Sequence, residues 1–246
     1  MVMPLHDDAG MKYLRRPIVN WTLIALNVLV FLVVFSERFG DPLTVMRGFA
    51  IIPMVLFGEA ELAQWVVGPP APLTLVTALF FHSGFIHLAG NMLFLYVFCD
   101  NVEDAMGSLH YLLFYLSCGV AAGVFFAYAA PHTAIPLVGA SGAISGVCAA
   151  FLLLYPHATI FGLAAGIFPI HASGWAFVGT WIAIQFISAV FVEGGSTAWL
   201  AHVGGIVAGL LLTPVFKRRS VRLLAPPSQP PPPAADDGAD GPDAAA

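Results

Sequence analysis

Between Arg47 and Lys217 the chain contains no lysine and no arginine. Charged residues make up 9% of the sequence, against about 25% in an ordinary soluble domain. Too little charge is present to cover a water-facing surface. A long stretch free of basic residues, bounded by basic clusters, is the pattern of a polytopic membrane protein. The clusters are Lys12, Arg15 and Arg16 before the gap, with Arg38 and Arg47 at its edge, and Lys217, Arg218, Arg219 and Arg222 after it. No basic patch exists to bind nucleic acid. Cysteine is scarce as well. Cys99, Cys118 and Cys148 sit inside apolar stretches without metal-ligand spacing. A disulfide framework is excluded, and the three read as small packing residues. No metal or organic cofactor is implied. The net charge of −5 carries little information, because Asp236, Asp237, Asp240 and Asp243 crowd the end of the chain.

What the sequence has instead is hydrophobic length. Hydrophobic residues make up 59% of it and the mean hydropathy is +0.87. A spanning helix needs about 20 mostly apolar residues. Six spans are expected: Ile18–Phe35, Leu75–Phe98, Leu109–Ala129, Ser141–Tyr155, Ala176–Val192 and Ala198–Phe216. The fold class is therefore all-α, a bundle of six transmembrane helices over residues 18–216. The first span could be a signal peptide, but Ser36–Asp41 offers no small-residue cleavage site, so it is read as retained. The basic flanks place residues 1–17 and 217–246 in the cytoplasm. An even number of spans satisfies both, and the second, fourth and sixth helices then run from outside to inside. Residues 36–74 form an external loop whose apolar Phe49–Val67 part, interrupted by Pro53, reads as a short interfacial helix. From Ala225 onward the Pro/Ala/Asp-rich tail is expected to be disordered. A six-span chain of this kind is expected in a bacterial inner membrane.

Polar residues inside a bilayer are costly and mark function or helix contacts. Three groups stand out, one in each outside-to-inside helix. The second span holds His82-Ser-Gly-Phe-Ile-His87-Leu-Ala-Gly-Asn91, with His87 and Asn91 one turn apart on a shared face. The fourth opens with Gly139-Ala-Ser141-Gly142 and continues to Ser145 and Gly146. The sixth holds Ala201-His202-Val-Gly-Gly205, then Gly209. Each has a plain structural reading: hydrogen bonds to a neighbouring helix for the first, a serine N-cap for the second, small-residue packing for the third. Their depth argues for more. His87 lies thirteen residues before Asp100, Ser141 fifteen before Pro156, and His202 fifteen before Lys217. At 1.5 Å per residue, all three sit roughly 20–23 Å above the cytoplasmic boundary. Gly205 and Gly209 face the small residues Gly142, Gly146 and Ala150, so the fourth and sixth helices can approach closely and bring His202 towards Ser141.

A serine in this layer becomes nucleophilic only if a base takes its proton, and His202 is the available base. No Asp or Glu occurs at matching depth, which leaves a Ser-His dyad whose imidazole is oriented by packing. The Ser141 backbone N–H, the Asn91 amide and the His87 ring are candidate donors to a developing oxyanion. His82, Ser83 and Ser145 would line a wet cavity open to the outside.

The ordered set H-x-x-x-N, G-x-S-G and A-H-x-x-G-x-x-x-G in successive even helices resembles the rhomboid family of intramembrane serine proteases. The resemblance runs from about Pro72 to Phe216. Val102-Glu103-Asp104-Ala105-Met106-Gly107 is similar to a turn of that family after its second helix. The resemblance implies Ser141 as nucleophile, with Gly139 in its loop, and His202 as general base. It further implies His87 and Asn91 in the oxyanion hole and a membrane-dipping first loop. The fifth helix and the Glu193–Thr197 loop would govern lateral access and capping. Substrates would be single-span or other transmembrane proteins, cut near their outer end at small residues in helix-weak segments. Two positions depart from the family. Ser145 stands where some members stack an aromatic on the histidine, and Leu73-Thr74 where some carry Trp-Arg. Competing readings are a non-catalytic relative that binds clients, a channel or transporter, and a zinc protease. The first would be expected to lack the serine or histidine. The second would need a polar path through the whole bilayer, and the third an H-E-x-x-H that is absent.

Overall fold

The structure, a computed structural model, describes residues 2–164, 166–191 and 198–226. The core of the fold is a helical bundle. Among the described residues, five helices are long and apolar enough to cross a membrane: α1 (Ile18–Phe35), α5 (Phe85–Met106), α6 (Ser108–Ala129), α8 (Gly174–Phe191) and α9, whose 18 qualifying residues run from Trp199 to Phe216. A shorter apolar helix, α7 (Ser141–Leu154), packs among them. Between α1 and α5 lie α2 (Pro42–Phe49), α3 (Pro53–Leu56) and α4 (Thr74–Thr77). The chain is a polytopic, mostly helical membrane protein.

The second expected span differs most from its prediction. The apolar run from Leu75 does not continue as one helix. It ends in a 3-10 turn at Phe80, the chain is extended at Phe81, and α5 starts afresh at Phe85 after Gly84. His82 therefore lies in the break rather than on the helix. At its other end α5 passes Asp100 and runs to Met106, so Val102–Met106 is the last stretch of helix and Gly107, at φ +87°, makes the turn. The external loop is also different. Its longer helix precedes the expected segment, because the Asp41 carboxylate accepts from Thr44 N (2.9 Å) and Pro42 occupies the first turn. Only Pro53–Leu56 is helical inside Phe49–Val67, since Ile51 pairs in extended form with Leu137. Gly48 and Gly68 pin the loop together. A Cβ on Gly48 would lie 2.0 Å from the Val67 carbonyl oxygen.

Outside the helices the sequence reading had foreseen no sheet. Strand β1 (Val2–Asp7) pairs antiparallel with β2 (Thr159–Ala164), which pairs with β3 (Phe168–Ser173). The strands join the chain's start to the α7–α8 connection, so both lie at one end of the bundle. The second basic cluster is at the same end. Arg218 N donates to Ala105 O (2.9 Å), the Arg218 guanidinium covers the Tyr13 ring, and Leu224 N donates to Leu153 O (2.7 Å).

Two buried acids at the end of α5 organise this region. Asp104 accepts from the backbone N–H groups of Lys12, Tyr13 and Leu14. Glu103 accepts from Val19 N, Asn20 N and Ser108 Oγ. Neither side chain is exposed. The unpaired N–H groups ahead of and at the start of α1 thereby find acceptors, and the carboxylates are solvated by fixed donors instead of water. Above them Phe98, Val102, Phe114, Tyr115, Val147 and Phe151 fill the centre of the bundle. The three cysteines are buried free thiols among them.

Candidate active site

Three elements meet at the end of the bundle opposite the sheet. From α5 come His87 and Asn91. Asn91 Nδ2 donates back to His87 O (3.0 Å), and Ser83 Oγ lies 3.1 Å from His87 Nδ1, so the ring is held from the break preceding the helix. His82 is buried and packs edge-on to His87, their ring centroids 5.1 Å apart.

The loop before α7 supplies the second part. Gly139 has φ +124°, a conformation that side chains disfavour. Its N–H donates to Ala78 O (2.9 Å). A Cβ there would lie 2.8 Å from His87 Nε2 and 3.8 Å from Asn91 Nδ2. Glycine thus lets the loop touch both polar groups of α5 two residues before Ser141. Ser141 is the first residue of α7, at the positive end of that helix, and its side chain is partly exposed.

The third part is α9, which in full runs Ala198–Phe216. Its contact with α7 is made of backbone. A Cβ on Gly205 would fall 2.0 Å from Gly142 O, and one on Gly209 2.3 Å from Gly146 O. A Cβ on Gly142 would lie 2.7 Å from the Ala122 Cβ of α6 and 3.8 Å from Ala201 O. This seam sets His202 beside the start of α7. Ser145 spends its hydroxyl on Ser141 O (2.7 Å) and packs against Gly205. It is wholly buried, a packing residue within the seam.

His202 is oriented by α8, from residues the sequence reading had passed over. Its Nδ1 lies 2.8 Å from Gln185 Oε1. Trp199 and Trp181 flank the ring, with centroids 5.9 and 6.3 Å away. The signal available in the sequence was a single amide in an otherwise apolar α8. His202 Nε2 is buried and has no hydrogen-bond partner among the described residues, so the Ser141 hydroxyl is not bonded to it in this structure.

A cavity of about 10 Å³, the size of one water, touches Gly139, Ser141 and Ala201. A larger one of about 710 Å³ runs under the external loop to Ser83 and Val138. Among the described residues no three His, Cys, Asp or Glu side chains come together as a metal site. The expected capping loop Glu193–Thr197 and the tail beyond Pro226 lie outside the described residues.

Residues 69–219 match the Rhomboid domain. The chain is 30% identical over 165 residues to "Rhomboid protein 1, mitochondrial" of Saccharomyces cerevisiae, covering 62% of this chain and 46% of that protein. It is 29% identical over 137 residues to "Rhomboid protease GluP" of Bacillus subtilis, covering 56% and 24%. It is 31% identical over 99 residues to "Inactive rhomboid protein 1" of Drosophila melanogaster, covering 36% and 7%. The chain spans less than half the length of each of these relatives. With the domain match extending over more than half of its residues, the chain belongs to the rhomboid family.

Proposed function

We propose that the protein is an intramembrane serine endopeptidase that hydrolyses peptide bonds in or near transmembrane segments of other membrane proteins. Ser141 attacks the carbonyl and forms an acyl-enzyme. His202 takes the hydroxyl proton and returns it to the leaving amine. The Ser141 N–H, the Asn91 amide and His87 stabilise the oxyanion. Water then releases the acyl group, with His202 again the base.

The observation that carries this reading is the convergence on Gly139 and Gly205. One glycine sets the serine loop against His87 and Asn91, and the other sets the helix that bears His202 against the start of α7. Catalysis needs these groups held in a fixed geometry, and a seam of backbone contacts supplies it. The family relationship supports the same chemistry, since one relative is named a protease. Another is named inactive, so the non-catalytic reading is the alternative to test. The shared end occupied by both basic clusters supports cytoplasmic termini, with the site near the outer face of a bacterial inner membrane. The cavity beneath the external loop supports a water supply from that side.

The test uses detergent-solubilised protein and a single-span substrate with small residues near its outer end. Wild type should cleave it, and Ser141→Ala and His202→Ala should not. A fluorophosphonate should label Ser141 in wild type and in neither variant. Equal cleavage by all three, or no labelling of Ser141 in folded wild type, rejects the proposal.

A further inference from the structure

The dyad reading leaves one matter open: which nitrogen of His202 carries the proton. A base for Ser141 must present an unprotonated Nε2, and a neutral imidazole in water populates both tautomers. Among the described residues, Nδ1 has one partner, Gln185 Oε1, at 2.8 Å. The amide's orientation follows from its other half. Gln185 Nε2 faces Trp181 O at 3.3 Å, one turn back on α8, where only an N–H is useful. The oxygen therefore points at His202. A carbonyl oxygen can only accept, so Nδ1 must donate. The lone pair is left on Nε2, the buried nitrogen with no partner of its own among the described residues.

Gln185 is 3% exposed, and Trp181 and Trp199 flank the ring. Water has little access to compete for Nδ1. With Ser145 buried in the α7–α9 seam and no carboxylate among the described residues hydrogen-bonded to His202, a neutral amide does what an acid does in a triad, without placing a second charge in the membrane. We infer that Gln185 is a positioning residue that holds His202 in the Nδ1–H tautomer. Trp181 ties the same stretch of α8 to α5 through Phe94, their centroids 5.5 Å apart.

The inference rests on the dyad reading for its catalytic consequence, though not for the tautomer itself. The first arm is ¹⁵N NMR of imidazole-labelled protein, with the His202 signals assigned by their loss in His202→Ala. Wild type should show the Nδ1–H form. Gln185→Met, similar in length but without an acceptor, should show both tautomers or the other one. Gln185→Glu restores an oxygen acceptor and should restore the wild-type pattern. A His202 pattern identical in wild type and Gln185→Met overturns the inference whatever the activity. The second arm is kinetic. Gln185→Met should lose about tenfold in kcat with KM unchanged, the worth of one lost hydrogen bond, and Gln185→Glu should recover most of it. Equal losses in both variants, tracking a lowered melting temperature, assign Gln185 a packing role and also overturn the inference. Unlabelled Ser141 in folded wild type rejects the protease reading and leaves the tautomer result standing.

Discussion

Alanine at Gly205 should separate α7 from α9 and silence the site. The added methyl would sit 2.0 Å from Gly142 O, where ordinary contact begins near 3.4 Å. The obstacle is backbone in the first turn of α7, so no side chain can swing aside, and the helices must part by about 1.4 Å. Overpacking of this kind costs about 1–3 kcal/mol. The functional loss should be larger than the stability loss, because a misplacement of about 1 Å typically costs on the order of 100-fold in rate. Ser141 and His202 stand on opposite sides of the widened seam. Gly179→Ala is the control, since nothing lies within 4 Å of its would-be methyl. The assay is kcat/KM for single-span substrate cleavage beside thermal unfolding in detergent. Gly205→Ala should lose roughly 100-fold or more in kcat/KM and melt earlier, and Gly179→Ala should do neither. A Gly205→Ala protein within twofold of wild type in both measurements would show that the seam does not set the dyad.

Other substitutions test other parts. Gly139→Ala should keep the fold, as measured by melting, yet lose fluorophosphonate labelling of Ser141, because the methyl enters the space of His87 and needs a disfavoured φ. Asn91→Ala should lower kcat by about 100-fold or more with little change in KM, the usual cost of one oxyanion donor. Asp104→Ala should leave three N–H groups without their acceptor, at about 1–3 kcal/mol for each that stays buried. Limited trypsin digestion should then cut after Lys12 and Arg15 faster than in wild type. Asp7 is pH-sensitive. Burial raises its pKa above the ordinary 3.8, against hydrogen bonds from Ala9 N and Asn101 Nδ2 that lower it. The folded state therefore holds that proton more tightly than the unfolded state, and stability falls as pH rises from 3.8 through the raised value. Protection of the β1 amides, with exchange corrected for its intrinsic rise with pH, should fall over that interval in wild type and not in Asp7→Asn.

The apolar runs told most of the helical story. The spans expected at Ile18–Phe35 and Leu109–Ala129 agree with α1 and α6 to within a residue, because charge or glycine bounds them sharply. The second span failed at both ends for physical reasons. Thr74–Phe80 is as apolar as a helix but ends after one α turn in the 3-10 turn Ala78–Phe80, and past Asp100 the acids that should have stopped α5 are buried against N–H donors. The strands were invisible because Pro4 and Gly162 sit in segments too short and irregular to show alternation. Gln185 was overlooked for a different reason. A search for an acid to orient His202 finds none, and an amide that serves instead carries no charge to draw notice.

The small sheet has a consequence for the order in which the protein is made. Asp7 is opposite Ile160, so the first strand waits for its partner through most of synthesis, about 8–30 s at 5–20 residues per second. Three long helices and the shorter α7 lie between the two strands, and the pairing closes only if an even number of these four has crossed. A helix that fails to insert leaves the strands on opposite faces, where no amount of time unites them. Strand β1 is thus a parity check on insertion, and its open edge marks a chain not yet correctly threaded.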